Sequence, residues 1–497
     1  MYIRNEDTIY APATVPGTGA ISVIRVSGPE ALTIADKVIT CRKGPISEAK
    51  GYTIRFGTVS DADGRLIDEV LASVFRAPHS YTGEDSVEIS CHASSYIVSE
   101  LMTMLHEAGA RAAEPGEFTQ RAYLNGKMDL AQAEAVADVI SSQNAAAHRI
   151  AFNQMKGGFS SELRDMRSEL LELVSLMELE LDFSEEEVEF ADRSRLDSLL
   201  SSIIAHVTRL VDSFRLGNAI KNGVPVAIAG ATNTGKSTLL NALLGEDRAI
   251  VSDIHGTTRD TIEETLNIDG ILFRFIDTAG LRETTETVEK IGIERTFKKI
   301  SEASIVLGMV DLTRDIESTF DTISDILLKV DSSSQDLVIL LNKTDICKVN
   351  KNVSTINNIV SFIENKGFKT YLRKVEEKSG TESHIDRNTA KNVINILPIS
   401  AKTGSGIVIL RELLASTQRD LLGDSDTTLV TNQRQVQALT DARTSLLRVR
   451  SGLASGLPTD LAAQDIREAI YHIGSIVGEI STDEVLGNIF RNFCIGK

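Results

Sequence analysis

The stretch V-P-V-A-I-A-G-A-T-N-T-G-K-S at 224–237 decides the fold of this sequence. An apolar run typical of a buried strand leads to Gly230, and Gly235, Lys236 and Ser237 complete the pattern G-x-x-x-x-G-K-[ST]. A helix-like T-L-L-N-A-L-L follows. Such glycines let the backbone wrap around phosphate oxygens, the lysine reaches the β- and γ-phosphates, and the serine hydroxyl binds Mg²⁺. The pattern predicts a nucleotide-binding α/β domain; the alternative is a glycine turn with a chance lysine.

Three further signatures each follow an apolar run, in the order that a GTPase requires. I-L-F-R-F-I-D-T-A-G at 271–280 places Asp277 where it can hold Mg²⁺ through water, with the Gly280 N–H near the γ-phosphate. N-K-T-D ends at Asp345, whose carboxylate can accept both the N1–H and the 2-amino donors of guanine, which adenine lacks. S-A-K at 400–402 would present its backbone to the guanine carbonyl. The base is therefore predicted to be guanine, and the predicted contacts are Asn233, Thr234, Gly235, Lys236, Ser237, Thr238, Asp277, Thr278, Ala279, Gly280, Asn342, Lys343, Thr344, Asp345, Ser400, Ala401 and Lys402.

The segment S-D-I-H-G-T-T-R-D at 252–260 has the character of a switch. Thr257 or Thr258 can complete Mg²⁺ coordination when GTP is bound and release it after hydrolysis. The alternative is a polar turn at Gly256, and His255, which could be proposed as a base, is at a position where histidines are more often solvated. The predicted cofactor contacts here are Ser252, Asp253, Ile254, His255, Gly256, Thr257 and Thr258.

The group that orients the attacking water is not evident from spacing. Leu281 occupies the position of the water-orienting glutamine of Ras-like proteins, and a leucine cannot orient water by hydrogen bonding. Another side chain must do so. The polar stretch that follows offers four candidates, among which spacing does not choose: Arg282, Glu283, Glu286 and Glu289.

The composition limits the possible classes. A chain of 497 residues and 54.0 kDa contains roughly three domains, which excludes a small disulfide scaffold. The net charge of -18 repels phosphate backbones, so contact with nucleic acid requires a local basic patch or a partner. Four widely spaced cysteines favour neither a disulfide framework nor a structural metal, and no apolar run is long enough for a membrane span. We therefore expect a cytoplasmic protein.

The sequence predicts a multidomain fold of α/β plus α type, with four segments. Residues 1–124 alternate short strands with turns, including Asp63-Gly64, and form an α+β domain. Residues 125–217 and 412–497 are helical, and 218–411 form the Ras-like P-loop GTPase domain, with a parallel sheet covered by helices. Each helical flank alone leaves an apolar stripe uncovered, so the GTPase domain is predicted to interrupt one helical domain. The clearest stripe is Leu163, Met166, Leu170, Val174, Met177 and Leu181.

Outside the GTPase signatures, four further segments are specific: T-I-Y-A-P-A-T-V-P-G-T-G-A-I-S-V-I-R-V-S-G at 8–28, Y-T-G-E-D-S-V-E-I at 81–89, P-G-E-F-T-Q-R-A-Y-L-N-G-K-M-D-L-A-Q-A-E-A at 115–135 and F-C-I-G-K at 493–497. With them, nearly the whole chain resembles the MnmE (TrmE) family of tRNA modification GTPases. The resemblance implies a homodimer whose N-terminal domain binds a tetrahydrofolate derivative, 5-formyl- or methylene-tetrahydrofolate. It also implies a heterotetramer with the FAD-binding protein MnmG. The complex would modify the tRNA wobble uridine at carbon 5, giving an aminomethyl or carboxymethylaminomethyl group.

The resemblance also implies roles for particular residues. A potassium ion would be held by Asn233, Ser252, Ile254 and Thr257, and would supply the transition-state charge that an arginine finger supplies elsewhere. Magnesium would be held by Ser237 and Thr258. Glu289 would orient water through a bridging water, Lys236 would act on the phosphates, and Cys494 would be the near-terminal catalytic cysteine, although such a thiol is usually inert. The folate contacts would be Arg25, Glu88, Lys127 and Lys497.

Two departures and two rival interpretations accompany the resemblance. The 54 residues between Asp345 and Ser400 are more than the family pattern has, and the polar composition of 346–395 predicts an exposed insertion. Ser252 replaces the usual threonine at a potassium ligand. The first rival function is a ribosome-assembly RNA-binding GTPase, which would carry a basic module in place of the acidic helical domain. The second is a folate-dependent transferase with a regulatory GTPase domain.

Overall fold

The computed structural model describes residues 7–17, 19–183, 193–245, 264–276, 300–331, 335–347, 349–373, 393–417, 428–455 and 459–479, with Leu486, Ile489, Phe490, Phe493 and Gly496. The chain divides into two compact units. The first unit consists of 1–142, 149–212 and 432–497, and the second consists of 143–148 and 213–431. The predicted domain limits at 124, 217 and 411 stay predictions. No helix within the described ranges is long and apolar enough to cross a bilayer.

The strands and helices are numbered here along the chain. The strands are β1 (Ile9–Pro12), β2 (Ile21–Ser27), β3 (Thr40–Cys41), β4 (Thr53–Ser60), β5 (Leu66–Phe75), β6 (Ser86–His92), β7 (Arg111–Ala112), β8 (Val224–Gly230), β9 (Glu264–Ile268), β10 (Ile271–Ile276), β11 (Ile305–Asp311), β12 (Asp336–Asn342), β13 (Lys369–Leu372) and β14 (Val393–Pro398). The helices are α1 (Ala31–Val38), α2 (Ser95–Glu107), α3 (Glu117–Leu124), α4 (Leu130–Ser141), α5 (Ala145–Met155), α6 (Gly158–Phe183), α7 (Arg193–Asn222), α8 (Lys236–Leu244), α9 (Ile316–Lys329), α10 (Val349–Asn365), α11 (Ile407–Thr417), α12 (Gln433–Ala454) and α13 (Thr459–Val477).

The first unit contains a seven-stranded sheet of order β3-β4-β5-β6-β2-β1-β7. All neighbours are antiparallel except β1 and β7, and β4 pairs with β5 across the predicted Asp63-Gly64 turn. Because side chains alternate along a strand, the sheet has two distinct faces. One face is buried with α1 and α2 in an apolar core. The opposite face leaves Ile54 66% exposed and Phe56 and Leu71 each 45% exposed, and Phe56 lies directly opposite Leu71.

The helical part of the first unit is organised by the predicted stripe of α6. Leu163, Met166, Leu170, Val174 and Met177 are all buried, as the 3.6-residue period predicts, while the side chain of Leu181 lies outside the described residues. Helix α13 packs against α4, α6 and α12. Asp129 begins α4 with a capping box: its side chain accepts from the Gln132 N–H while the Gln132 side chain accepts from the Asp129 N–H. Helices from both ends of the chain therefore share one core.

The second unit contains the seven-stranded sheet β13-β14-β12-β11-β8-β10-β9. Every pair is parallel except β9 and β10, so the predicted parallel sheet is confirmed apart from one antiparallel strand at its edge. The reason is local: Asp269 and Gly270 both have positive φ, 51° and 83°, which is the two-residue turn that joins antiparallel strands. The carboxyl ends of the parallel strands β8, β11, β12 and β14 all point in the same direction. The loops that follow these strand ends carry the predicted motifs.

The prediction of an exposed polar insertion at 346–395 is wrong for part of that segment. Residues 349–365 form α10, which fully buries Ile359 and Ile363, and residues 369–372 form β13, which extends the sheet beyond β14. The polar residues of this segment lie on the outer face of an amphipathic helix, so a polar composition did not mean an irregular loop. Residues 374–392 lie outside the described residues.

Candidate functional site

The loop between β8 and α8 has the backbone that the glycine pattern predicts. Gly230 has φ 151°, and a Cβ there would come within 2.5 Å of the Met309 carbonyl oxygen on the neighbouring strand. Gly235 precedes α8 with φ 101°, and a Cβ there would lie 2.4 Å from Asn342 Nδ2. Both positions therefore require glycine, one for a close strand approach and the other for a left-handed turn. The N-terminus of α8 points its N–H groups into this loop.

The carbonyl groups of this phosphate loop are held by side-chain donors. Lys236 Nζ donates to the carbonyl oxygens of Gly230 (2.9 Å) and Ala231 (2.8 Å), and Thr234 Oγ1 donates to the Ala231 oxygen at 2.9 Å. Asn342 Nδ2 donates to the Thr234 oxygen at 2.7 Å. Because the carbonyl and N–H groups of one trans peptide point in opposite directions, the Thr234 carbonyl held by Asn342 directs the Gly235 N–H away from Asn342. Burial lowers the pKa of Lys236.

The residues predicted to recognise guanine lie in mutual contact at the ends of β12 and β14. Ser400 Oγ donates to Asp345 Oδ1 at 2.7 Å, which fixes the carboxylate that would accept from guanine. Asn342 Oδ1 accepts from the Ala401 N–H at 3.0 Å, and Thr344 Oγ1 donates to the Ile399 carbonyl at 3.0 Å. Asn342 is almost fully buried and joins the phosphate loop to the S-A-K loop. These motifs, 55 residues or more apart in sequence, are brought together as predicted.

Lys343 has a partner that the sequence did not indicate. Its Nζ lies 2.6 Å from Oδ2 of Asp311, the last residue of β11, and Asp311 Oδ1 accepts from the N–H (2.9 Å) and hydroxyl (2.6 Å) of Thr313. Burial would raise the pKa of Asp311, but the hydrogen bonds from Lys343 and Thr313 outweigh it and lower the pKa below its ordinary value of 3.8. The signal available in the sequence was an aspartate at the end of an apolar strand.

The structure describes only some of the residues predicted to bind cations. Ser237 lies in the first turn of α8, where its hydroxyl can serve a Mg²⁺ held by the phosphates. Asn233 is exposed in the phosphate loop, with φ 62° in the left-handed region. A serine hydroxyl and an amide oxygen are suitable ligands for hard cations, so Ser237 and Asn233 have the chemistry that such ions require. The other predicted ligands and contacts lie outside the described residues: Ser252, Asp253, Ile254, His255, Gly256, Thr257, Thr258, Asp277, Thr278, Ala279 and Gly280.

Three predicted site residues near the reaction chemistry also lie outside the described residues: Glu289, Cys494 and Lys497. Two described residues of the C-terminal segment show where its neighbourhood lies. Gly496 lies so close to Pro12 that a Cβ would come within 2.1 Å of the Pro12 carbonyl oxygen. A Cβ on Gly116 would likewise lie 3.0 Å from Phe493 Cβ. Phe493 and Gly496 therefore lie next to Gly116 and Pro12 of the same unit.

A second cluster surrounds Arg25 on the exposed face of the first sheet. Arg25 Nη2 lies 2.8 Å from Glu88 Oε1, across the β2–β6 pair in which the two residues are directly opposite. The Arg25 guanidinium also lies 4.9 Å from the ring centre of Tyr81 and 5.6 Å from that of Phe118. Burial raises the pKa of Tyr81, whose hydroxyl is 2.8 Å from Thr119 Oγ1. The structure thus joins two of the predicted folate contacts to two aromatic rings that the sequence did not identify.

Lys127 lies on the neighbouring loop and not on the sheet. Its Nζ donates to the Pro78 carbonyl at 2.9 Å, and its Cγ lies 3.3 Å from where a Cβ would stand on Gly83. Beneath this loop, Arg121 is 1% exposed and was not predicted as a site residue. Its guanidinium binds carboxylates of Asp7 (2.6 Å), Glu117 (3.0 Å) and Glu84 (3.3 Å). This network fixes the 81–84 loop against α3, because breaking a buried ion pair costs about 3–5 kcal/mol.

A mainly parallel sheet with a phosphate loop and an N-K-x-D motif at the carboxyl ends of its strands defines the Ras-like P-loop GTPases. The second unit has these features and belongs to this class. The model of the GTP-binding protein TrmE N-terminus matches residues 8–127, and that of the MnmE helical domain matches 130–494. The chain therefore belongs to the MnmE (TrmE) family of tRNA modification GTPases and is a GTP hydrolase.

Relatives named tRNA modification GTPase MnmE are similar over their full length. The protein of Bacteroides thetaiotaomicron is 51% identical, that of Parabacteroides distasonis 49% and that of Flavobacterium johnsoniae 48%, each over 99% of this chain and 100% of the relative. A solved structure of the FeoB G domain from Methanococcus jannaschii covers 40% of this chain and 98% of its own, with 20% identity and a TM-score of 0.24. That likeness is too low to carry an argument.

Proposed function

We propose that this chain hydrolyses GTP with potassium as the activating cation. The observation that carries the proposal is Asn233: it is exposed in the phosphate loop, and its left-handed backbone is a conformation that asparagine tolerates better than most residues. A potassium ion beside the phosphates supplies positive charge as negative charge develops on the transferred group. Leu281 cannot orient water, and among the four polar candidates that follow it Glu289 is the one that the family resemblance proposes as the orienting group, acting through a bridging water.

In this proposal the chain's own residues divide the work. Lys236 draws charge from the phosphates, Ser237 and Thr258 hold magnesium, and Ser252, Ile254 and Thr257 complete the potassium site with Asn233. Asp345, oriented by Ser400, selects guanine. The remaining proposed nucleotide contacts are the other residues of the four GTPase motifs.

Replacing Asn233 by alanine tests the potassium assignment. GTP turnover is measured in KCl and in NaCl at equal ionic strength, and we expect the stimulation by potassium to disappear in Asn233→Ala. Asn358→Ala is the matched control, because it removes an exposed asparagine from α10 in the same unit. Potassium stimulation of Asn233→Ala equal to that of the wild type refutes the assignment.

We also propose that the first unit binds a tetrahydrofolate derivative beside Arg25. The support is a guanidinium that pairs with a carboxylate and lies against the half-buried ring of Tyr81 on one sheet face, because a flat heterocycle can contact such a ring while the guanidinium and the carboxylate hydrogen-bond to polar groups at its edge. Glu88, Lys127 and terminal Lys497 are the further proposed contacts. A one-carbon unit from the folate would enter carbon 5 of the tRNA wobble uridine, with the FAD-binding partner MnmG and with Cys494 as a proposed catalytic thiol.

Calorimetric titration with 5-formyl-tetrahydrofolate tests this site. We expect Arg25→Met to weaken binding at least tenfold, since a charge-assisted hydrogen bond contributes about 1.5–3 kcal/mol. Arg65→Met is the control, because Arg65 is exposed in the β4–β5 turn. Equal affinity of Arg25→Met and wild type would remove Arg25 from the site.

A homodimer is proposed from the exposed apolar residues of the same sheet face. Ile54, Phe56 and Leu71 are large, adjacent across strands and well exposed, and clustered exposed apolar side chains mark interaction surfaces. A second copy presents the same residues and can cover them symmetrically. The heterotetramer with MnmG and the cytoplasmic location belong to the same proposal.

The tRNA step is tested in cells. Mass spectrometry of tRNA nucleosides from cells that lack the gene should show loss of the aminomethyl or carboxymethylaminomethyl group at carbon 5 of the wobble uridine. Intact modification together with accumulation of ribosomal precursors would favour the ribosome-assembly GTPase instead. Reconstitution with and without MnmG distinguishes the proposal from a folate-dependent transferase that acts alone.

A further inference from the structure

Arg314 reaches the phosphate loop from the turn that follows β11. Its Nη2 donates to the carbonyl oxygen of Thr232 at 2.6 Å, across 82 residues of sequence. No motif indicated this residue. Its charge, after burial, is the second cause of the lowered pKa of Lys236, so the guanidinium stands near the phosphate-binding lysine.

The Thr232 carbonyl belongs to the same peptide unit as the Asn233 N–H. A trans peptide is planar and its carbonyl and N–H point in opposite directions, so an anchored carbonyl fixes the direction of the N–H. The Asn233 residue is also the one with φ 62°, a conformation that costs energy and persists only where neighbouring contacts hold it. Thr232 and Asn233 are both exposed, so the loop at this point has little packing of its own.

The turn that carries Arg314 is itself firmly held. Asp311 is 4% exposed and accepts two hydrogen bonds from Thr313, and the Arg314 N–H donates to the Asp311 carbonyl at 3.3 Å. The next residue, Asp315, caps α9 by accepting from the Ser318 N–H at 2.8 Å. A guanidinium supplied from a fixed turn loses less conformational entropy when it binds the loop.

Three other loop carbonyls have side-chain donors. Lys236 donates to the Gly230 and Ala231 oxygens, and Asn342 donates to the Thr234 oxygen. Arg314 is the corresponding donor at Thr232. Arg314 and Asn342 therefore anchor two peptide units of the loop, and each anchored carbonyl directs the N–H of its own peptide away from the donor.

We propose that Arg314 is a positioning residue of the phosphate loop: it fixes the Thr232–Asn233 peptide so that the Asn233 N–H faces the bound phosphates and the Asn233 side chain faces the cation. The part that concerns the cation rests on the proposed function. The part that concerns nucleotide binding does not, because it depends only on the loop.

The test compares Arg314→Ala and Arg314→Lys with the wild-type full chain. Affinity for GDP is measured by titration with a fluorescent GDP analogue, in KCl and in NaCl, and kcat and KM for GTP are measured separately. We expect Arg314→Ala to bind GDP about tenfold more weakly in both salts, the effect of one charged hydrogen bond. Arg314→Lys should recover to within about threefold of wild type, since an ammonium can donate to the same carbonyl.

Arg373→Ala is the matched control. It removes the same charge from the same unit, but Arg373 follows β13, four strand spacings or about 19 Å from β8. We expect it to bind GDP as the wild type does. If Arg314→Ala does not fold, Arg314→Met replaces it, because methionine keeps most of the side-chain bulk but has no donor for the Thr232 carbonyl, and the same tenfold loss is expected.

Two results would overturn the inference: GDP affinity of the donor-lacking variant, Arg314→Ala or its substitute, within twofold of wild type, or equal weakening by Arg373→Ala. Failure of the proposed function is a different result, namely potassium stimulation that survives in Asn233→Ala. A raised half-saturating KCl concentration in Arg314→Ala, with recovery in Arg314→Lys, would support the part that concerns the cation.

Discussion

Asn342→Ala should remove the contact that joins the two halves of the nucleotide site. The buried side chain donates to the Thr234 carbonyl at 2.7 Å and accepts from the Ala401 N–H at 3.0 Å. Alanine leaves both backbone groups without these partners. Each buried group left unsatisfied costs about 1–3 kcal/mol, so we expect a total loss of about 3 kcal/mol.

This loss can appear in two measurements, and their sum is the quantity predicted. If the loops stay in place without nucleotide, the free energy of unfolding falls by about 3 kcal/mol and the Kd for GDP hardly changes. If the loops relax and their backbone groups reach water, unfolding changes little and the Kd rises about 100-fold, because 1.4 kcal/mol corresponds to a factor of ten. Urea unfolding in saturating GDP measures both losses together, because bound GDP adds its binding free energy to the free energy of unfolding of the second unit.

Gly235 provides an internal check on Asn342→Ala. A Cβ on Gly235 would lie 2.4 Å from Asn342 Nδ2 and would also occupy a backbone with φ 101°. Gly235→Ala in the Asn342→Ala background therefore keeps the backbone strain but loses the collision, and the double variant should be less damaged than the two single losses added together. Exposed Asn358→Ala should change nothing. A summed loss below 1 kcal/mol for Asn342→Ala would refute the reasoning.

Arg434→Met should lower the free energy of unfolding of the first unit by about 3–5 kcal/mol, because it strands the buried carboxylate of Glu134, which Arg434 binds at 2.8 and 3.0 Å; urea unfolding measures this. Asp311→Asn should destabilise the second unit at neutral pH, and the difference from wild type should shrink as pH falls below about 4. The folded-state pKa of Asp311 is lowered, chiefly by Lys343, so its contribution is present above the unfolded-state pKa and is lost as pH falls through the folded-state pKa. Phe56→Asp should shift a dimer to monomer in light scattering after size exclusion, because it places a charge in the proposed apolar contact.

Each of these variants has a matched control. Arg450→Met changes an exposed arginine of α12, Asp325→Asn an exposed aspartate of α9, and Leu328→Asp an 85% exposed leucine of the second unit. The controls should behave as wild type. A difference for Asp311→Asn that stays constant from pH 7 to pH 3 would contradict the ion pair, and an unchanged mass for Phe56→Asp would contradict the dimer contact.

The sequence was sufficient where a residue type has a local backbone reason or a fixed period. The two glycines of the phosphate loop, the Asp63-Gly64 hairpin turn and the Leu163–Met177 stripe all follow from short-range rules, and the structure confirms them. Asp269-Gly270 carries the same local signal as Asp63-Gly64, and the antiparallel pairing of β9 with β10 follows from that turn.

The side-chain partners were beyond reach because they depend on distant segments. Glu134 and Arg434 are 300 positions apart, and Arg314 and Thr232 are 82 apart. No periodicity relates such pairs, since they meet only after the helices or strands between them have packed. A charged residue type in a sequence is normally expected to be exposed to solvent, so the sequence did not indicate that Arg121 is buried.

Asn233 and Lys343 are both non-glycine residues in the left-handed region, with φ 62° and 69°. Glycine would adopt either conformation at no steric cost, so the backbone alone does not explain the residue types. At Lys343 the side chain binds buried Asp311, and this ion pair offsets the strain. At Asn233 the described contact lies on the preceding carbonyl, through Arg314, and the side chain is exposed in the loop. A left-handed residue other than glycine, with an exposed side chain in the phosphate loop, is the pattern expected where the side chain serves a ligand, and it supports the proposed cation at Asn233.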